Sequence, residues 1–77
     1  MNKWQTPVQL TIPLNGLVRV DGPSVALLVL MDEWPNARGP DYVRARSYCR
    51  AAIAGRKSAE EARAHFIEAA REANLIH

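Results

Sequence analysis

A short alternating segment near the start of the chain limits what the rest can fold into. In Val8–Ile12 every second residue is apolar, the period-two pattern of a strand with one buried face. Asn15 and Gly16 follow and favour a tight hairpin turn, because both residue types tolerate positive φ. The segment 17–20 is then the returning strand. Since two strands alone are not stable in water, helices must cover this hairpin.

Start and stop signals for three helices follow the hairpin. Asp21 or Ser24 is predicted to cap helix one, and Pro35 ends that helix because proline disfavours the α region for the residue before it. Gly55 closes helix two, and Ser58 begins a capping box at the start of helix three. The predicted bounds are about 7–20 for the hairpin, 23–33 for helix one, 40–54 for helix two and 58–74 for helix three. We therefore predict one α+β domain, an N-terminal antiparallel β-hairpin packed on three α-helices (ββααα).

The chain has 77 residues, and a domain of this size buries only about 60% of the surface that its unfolded chain exposes. Small domains often rely on a disulfide, a metal ion or a second subunit for stability. One cysteine and two histidines provide neither a disulfide nor a cluster of metal ligands, so we predict no cofactor. A single cysteine and the lack of a leader or membrane-length apolar segment favour a cytoplasmic protein without membrane contact.

Helix one is apolar on every side, which packing against one hairpin does not require. Leu27, Leu30 and Trp34 can face the hairpin. The residues predicted to form a dimer face are Val25, Leu28, Val29 and Met31. Alternatively, helices two and three bury this side within one chain, and the sequence leaves both arrangements open. If the helix does meet a second chain, a symmetric homodimer is the usual form of association.

The basic residues are concentrated in the middle of the chain. Residues 38–57 carry six arginines and lysines against Asp41 alone, a net charge of +5, whereas the whole chain carries +2. The candidate basic surface comprises Arg44, Arg46, Arg50, Arg56 and Lys57. Such residues supply non-specific affinity for phosphates, so an alternative function is a nucleic-acid-binding accessory protein that uses helix two. Glutamates at 60, 61, 68 and 72 are the competing explanation, because they can pair with these arginines across the helices.

A second candidate site lies where helix one ends and helix two begins. It comprises Trp34, Arg38, Gly39, Tyr42 and Arg46. An indole, a phenol and two guanidinium groups beside the free N–H groups of a helix start can hold an anion or a planar ligand. This corner therefore predicts, as a further alternative, a small-ligand sensor. Otherwise the two aromatic residues close the end of the core and Arg38 covers the indole or caps helix one.

Nucleophiles and bases have structural explanations in this sequence. Cys49 falls on the apolar stripe of helix two, where a thiol behaves as a small core residue. His65 stands alone beside Phe66, and the serines have no visible base partner. We therefore predict that the protein is not an enzyme and has no catalytic residues.

The chain also resembles a known family. The stretch from Trp34 to Tyr42, then Ala45, Cys49, Gly55 and the segment 62–70, is similar in order and spacing to the small bacterial domain-of-unknown-function family number nine hundred and eighty-two. This resemblance implies a compact α+β domain and brings no activity, substrate or cofactor with it. The leading functional prediction therefore comes from the residues themselves: a non-enzymatic protein-interaction or regulatory module, homodimeric or bound to another protein.

Overall fold

The computed structural model describes residues 3–35 and 38–76 and has the predicted order of elements. The strands are β1 (Val8–Ile12) and β2 (Gly16–Val20), and the helices are α1 (Pro23–Asp32), α2 (Pro40–Ile53) and α3 (Ala59–Glu72). The strands pair antiparallel, with Val8 opposite Val20 and Ile12 opposite Gly16. The prediction of a hairpin followed by three helices is confirmed. None of the helices in the described ranges is long and apolar enough to cross a membrane.

The turn of the hairpin lies one residue earlier than predicted. Because Ile12 is paired with Gly16, the loop is residues 13–15, and Asn15 N–H donates to the Ile12 carbonyl at 3.1 Å. The fixed φ of Pro13 suits the second position of such a turn, which moves the turn away from the Asn-Gly pair. Leu14 then takes a φ of 75°, which is strained for a leucine, with its side chain fully exposed.

The helix starts use different caps. Neither Asp21 nor Ser24 caps α1; Gly22 occupies the N-cap position without a side-chain bond, and Pro23 begins the helix. The capping box predicted for α3 is present, with Ser58 and Glu61 each accepting the other's backbone N–H at 3.0 Å. These bonds to Ser58 lower the pKa of the Glu61 carboxyl.

The helices form one layer in which α2 lies between α1 and α3. The hairpin covers this layer with Val8, Leu10, Ile12 and Val20 facing inward and buried. Trp4 Nε1 donates to the Ala59 carbonyl at 2.7 Å, and Thr11 N–H donates to the Leu75 carbonyl at 3.0 Å. Trp4 and Thr11 therefore join the hairpin region to the start of α3 and to the segment that follows it.

Candidate functional site

The aromatic residues of the predicted ligand corner are part of the core. Trp34 and Tyr42 are 4% and 3% exposed, and their rings pack with centroids 6.2 Å apart. The Tyr42 hydroxyl donates to the Leu30 carbonyl in α1 at 2.8 Å. Tyr42 therefore joins the start of α2 to α1, and neither ring presents a face to a ligand.

The helix N–H groups at this corner are already bound by a side chain from α3. The Glu72 carboxylate accepts the backbone N–H groups of Asp41 at 3.3 Å and Tyr42 at 3.2 Å. A carboxylate in this position satisfies helix donors and offsets the positive end of the helix dipole. A Cβ on Gly39 would lie 2.5 Å from Glu72 Oε2, so the absence of a side chain at residue 39 leaves room for the carboxylate.

Two arginines complete the packing around Tyr42. Arg38 donates to the Trp34 carbonyl at 3.4 Å, and its Cζ lies 5.1 Å from the centroid of the Tyr42 ring. Arg46 approaches the same ring, with its Cζ at 5.7 Å from the centroid. Within the described part of the chain, Trp34 Nε1 and Arg46 Nε are buried without a hydrogen-bond partner. The corner predicted as a ligand pocket is thus filled by the protein's own groups, and we propose no sensor function for it.

We expect Glu72→Ala to lower the free energy of unfolding by about 1–3 kcal/mol, because two N–H groups at the start of α2 lose their acceptor. Gly39→Ala should cost a similar amount, since it displaces the same carboxylate. The double variant should therefore cost no more than about one of the single changes. Urea unfolding of the four proteins measures this coupling, with Glu68→Ala as the matched exposed control. Additive losses would show that Gly39 and Glu72 act independently.

The basic surface has fewer ion pairs than the sequence suggested. Arg44 pairs with Asp41 at 3.2 Å, but over residues 3–35 and 38–76 none of the other four basic residues lies within 4 Å of a carboxylate. The glutamates predicted to face them bind elsewhere. Glu60 accepts the Gln5 N–H, Glu61 bonds to Ser58, Glu68 pairs with Arg71, and Glu72 caps α2.

Three of these unpaired arginines line one open groove of about 330 Å³. Arg46 and Arg50 come from consecutive turns of α2, and Arg56 comes from the turn between α2 and α3. Val43 and Ser47 form the remaining wall. Ser47 also borders a smaller groove of about 120 Å³, whose other walls are Tyr48, Ala51 and Lys57. The two grooves follow the outer surface of α2.

Three of the four residues of the predicted dimer face are exposed. Leu28, Met31 and Val25 are 61%, 47% and 37% exposed, but Val29 is 3% exposed and belongs to the core. Val29 lies three residues after Ala26, which is also buried, so both point to the same side of α1. The exposed apolar stripe of α1 therefore excludes Val29.

Sequence reasoning missed an unpaired strand edge on β2. Thr11 N–H donates to Leu75, away from β2, so in the alternating pattern of an antiparallel pair its opposite residue Leu17 also points its backbone groups outward. Arg19, two residues further, is oriented in the same way. Among the described residues, no hydrogen bond is formed to the N–H of either residue from the outer side. No local sequence signal distinguishes this edge from the β1 edge, where Thr11 N–H donates to Leu75.

Residues with potential nucleophilic or basic chemistry are held in structural roles. Cys49 is fully buried, and burial raises the pKa of its thiol to about 12. His65 is half-buried and stacks on Tyr48 with ring centroids 3.9 Å apart. No group of three or more histidine, cysteine, aspartate or glutamate side chains suited to a metal occurs in the ranges the structure describes.

Comparison with known proteins gives a family and a similar solved structure. A family model described as "Protein of unknown function (DUF982)" matches residues 6–76. The NMR structure of the Agrobacterium tumefaciens protein Atu1219 is similar, with a TM-score of 0.80 and 32% identity, over 99% of this chain and 76% of that one. No curated protein matches the chain.

Proposed function

We propose that this chain, which belongs to the DUF982 family of proteins of unknown function, is a non-enzymatic protein-interaction module that acts as a symmetric homodimer. The observation that supports the proposal is the unpaired outer edge of β2 at Leu17 and Arg19. A cytoplasmic location accords with the single, buried, unpaired cysteine.

Strand β2 is suited to pairing with a second copy of itself. Leu17 and Arg19 each direct one N–H and one carbonyl outward, and Val18 lies between them. A two-fold axis at Val18 sets Leu17 opposite Arg19 of the second copy, and each such pair exchanges two hydrogen bonds. The two hairpins then form one four-stranded sheet.

Apolar side chains exposed on β2 and on α1 favour the same association. The side chain of Leu17 is 76% exposed on the outer face of β2, and Leu28 and Met31 are exposed on α1. Removing this surface from water stabilises the dimer by roughly 25 cal/mol per Å² of apolar area buried. A small domain with a two-stranded sheet buries little apolar area by itself, so this contribution matters. The dimer is thus expected to combine backbone pairing with burial of α1.

The proposal is tested first by removing one edge donor. Arg19→Pro deletes an N–H that forms no bond within the chain, so the monomer should fold while the dimer loses two hydrogen bonds about its axis. Arg19→Thr removes the same side chain but keeps the N–H, and it should remain dimeric. Sedimentation equilibrium at micromolar concentration gives the masses, and circular dichroism checks that each variant is folded.

A second pair of variants tests the α1 stripe. Leu28→Glu introduces a charge into the proposed interface and should weaken the dimer at least tenfold, because burying an unpaired charge is costly. Ala64→Glu introduces the same charge at an exposed position of α3, which forms no part of the proposed interface, and should leave the dissociation constant unchanged. A monomeric unmodified protein at these concentrations would refute the proposal.

A further inference from the structure

The packing of Arg46 on Tyr42 and the position of Arg50 at the end of α2 do not account for the whole arginine groove, which also has no part in the proposed dimer. Arg46, Arg50 and Arg56 converge on it without a carboxylate partner among the described residues. Arg50 and Arg56 are exposed, and Arg46 is half-buried beside them. A groove that gathers cationic donors in this way is suited to an oxyanion.

Structural roles account for only part of this arrangement. Arg50 lies in the last turn of α2, where a cation offsets the negative end of the helix dipole. Arg56 follows the C-terminus of the helix, where a cation also interacts favourably with the dipole, but Arg46 is in the middle of the helix and has no such explanation. Arg44 does not line the groove, and it pairs with the Asp41 carboxylate of the same helix. The groove arginines differ from Arg44 because they have no such partner among the described residues.

We infer that this groove binds the phosphate groups of a nucleic-acid backbone. Arginine guanidinium groups bind phosphate oxygens through paired hydrogen bonds, and the Ser47 hydroxyl adds a further donor. The smaller groove shares Ser47 and includes Lys57, so cationic residues line two neighbouring grooves on α2 instead of one closed point. Sites for small molecules usually enclose most of the ligand, whereas this groove is open along the surface and fits successive phosphates of a polymer.

Binding should depend steeply on salt. Three phosphate contacts predict a slope of about −2.7 in log K against log salt concentration, which is roughly a 40-fold loss of affinity between about 50 and 200 mM salt. The measurement is fluorescence anisotropy of a labelled mixed-sequence oligonucleotide with the full chain, in single-stranded and duplex form. Arg50→Gln and Arg56→Gln should each reduce the magnitude of the slope by about 1, because each removes one phosphate contact.

Matched variants distinguish the groove from general positive charge. Arg50→Glu combined with Arg56→Glu should abolish detectable binding, while Arg44→Gln and Arg71→Gln, each paired with a carboxylate in the structure, should change affinity less than about twofold. Circular dichroism of each variant confirms folding. The Arg19→Pro protein should still bind, since the groove is independent of the β2 edge.

Pyrophosphate tests whether the groove instead binds a small phosphate-containing molecule. It should compete with the oligonucleotide only weakly and should shift the backbone amide signal of Ser47 in NMR spectra at high concentration. Tight binding of pyrophosphate without binding of either oligonucleotide would overturn the assignment to nucleic acid. The inference would equally be overturned by no binding at low salt, or by binding that the Arg50 and Arg56 variants leave unchanged.

Discussion

Replacing Phe66 with alanine is expected to lower the free energy of unfolding by about 3–5 kcal/mol, the largest loss from any single truncation in this core. Phe66 is fully buried on α3, and its ring lies 5.6 Å from the ring of Trp4 and 5.7 Å from that of Trp34, centroid to centroid. It therefore joins the segment before the hairpin to the end of α1. Because small domains have only about 5–15 kcal/mol of stability, this variant should be close to unfolding at 25 °C.

Urea unfolding followed by tryptophan fluorescence measures the loss, since both indoles contact the deleted ring. Phe66→Leu keeps most of the volume and should cost clearly less than the alanine variant. Ile67→Ala is the matched control on the same helix, because Ile67 is only half-buried. A loss below about 1 kcal/mol for Phe66→Ala would mean that the three rings do not form the centre of the core.

The elements of this fold could be predicted because their signals are local. The alternation in β1, the proline at the start of α2 and the Ser58–Glu61 box each act within a few residues. The turn was misplaced because two local signals compete, and Pro13 prevails over the Asn-Gly pair. Where a single signal was present, as at Ser58, the prediction was correct.

The sites depended on contacts between distant residues. Glu72 reaches the start of α2 from about 30 positions further along the chain, so the sequence identified the helix N–H groups but not the carboxylate that occupies them. The segment after α3 bonds to β1 at Thr11 and not to β2, a contact between residues that are far apart in the sequence. The arginines of α2 were identified, but their lack of partners followed from where the glutamates of α3 point. Val29 was misassigned because an apolar run does not show which of its sides the neighbouring helix covers.

The thiol of Cys49 is expected to react with iodoacetamide at pH 8 about a thousandfold more slowly in the folded protein than in urea. Only the thiolate reacts, and burial raises the pKa of this group from 9.0 to about 12. At pH 8 the thiolate fraction is then about 10⁻⁴ in the folded state and about 10⁻¹ in the unfolded one. Mass spectrometry of quenched samples gives both rates. The rate for free cysteine with and without urea corrects for the effect of urea on the reaction with iodoacetamide.

The same rise in the pKa of Cys49 predicts that the free energy of unfolding falls at alkaline pH. Well below pH 9 the thiol is protonated in both the folded and the unfolded state, so its ionisation does not reduce the free energy of unfolding. As pH rises from 9 towards about 12, the unfolded chain loses its proton first, and stability should fall. Cys49→Ala should remove this component of the alkaline decline while lowering stability at neutral pH, where the cavity dominates. If folded and unfolded Cys49 instead react within tenfold of each other, the thiol is accessible and α2 opens far more readily than its packing against α3 implies.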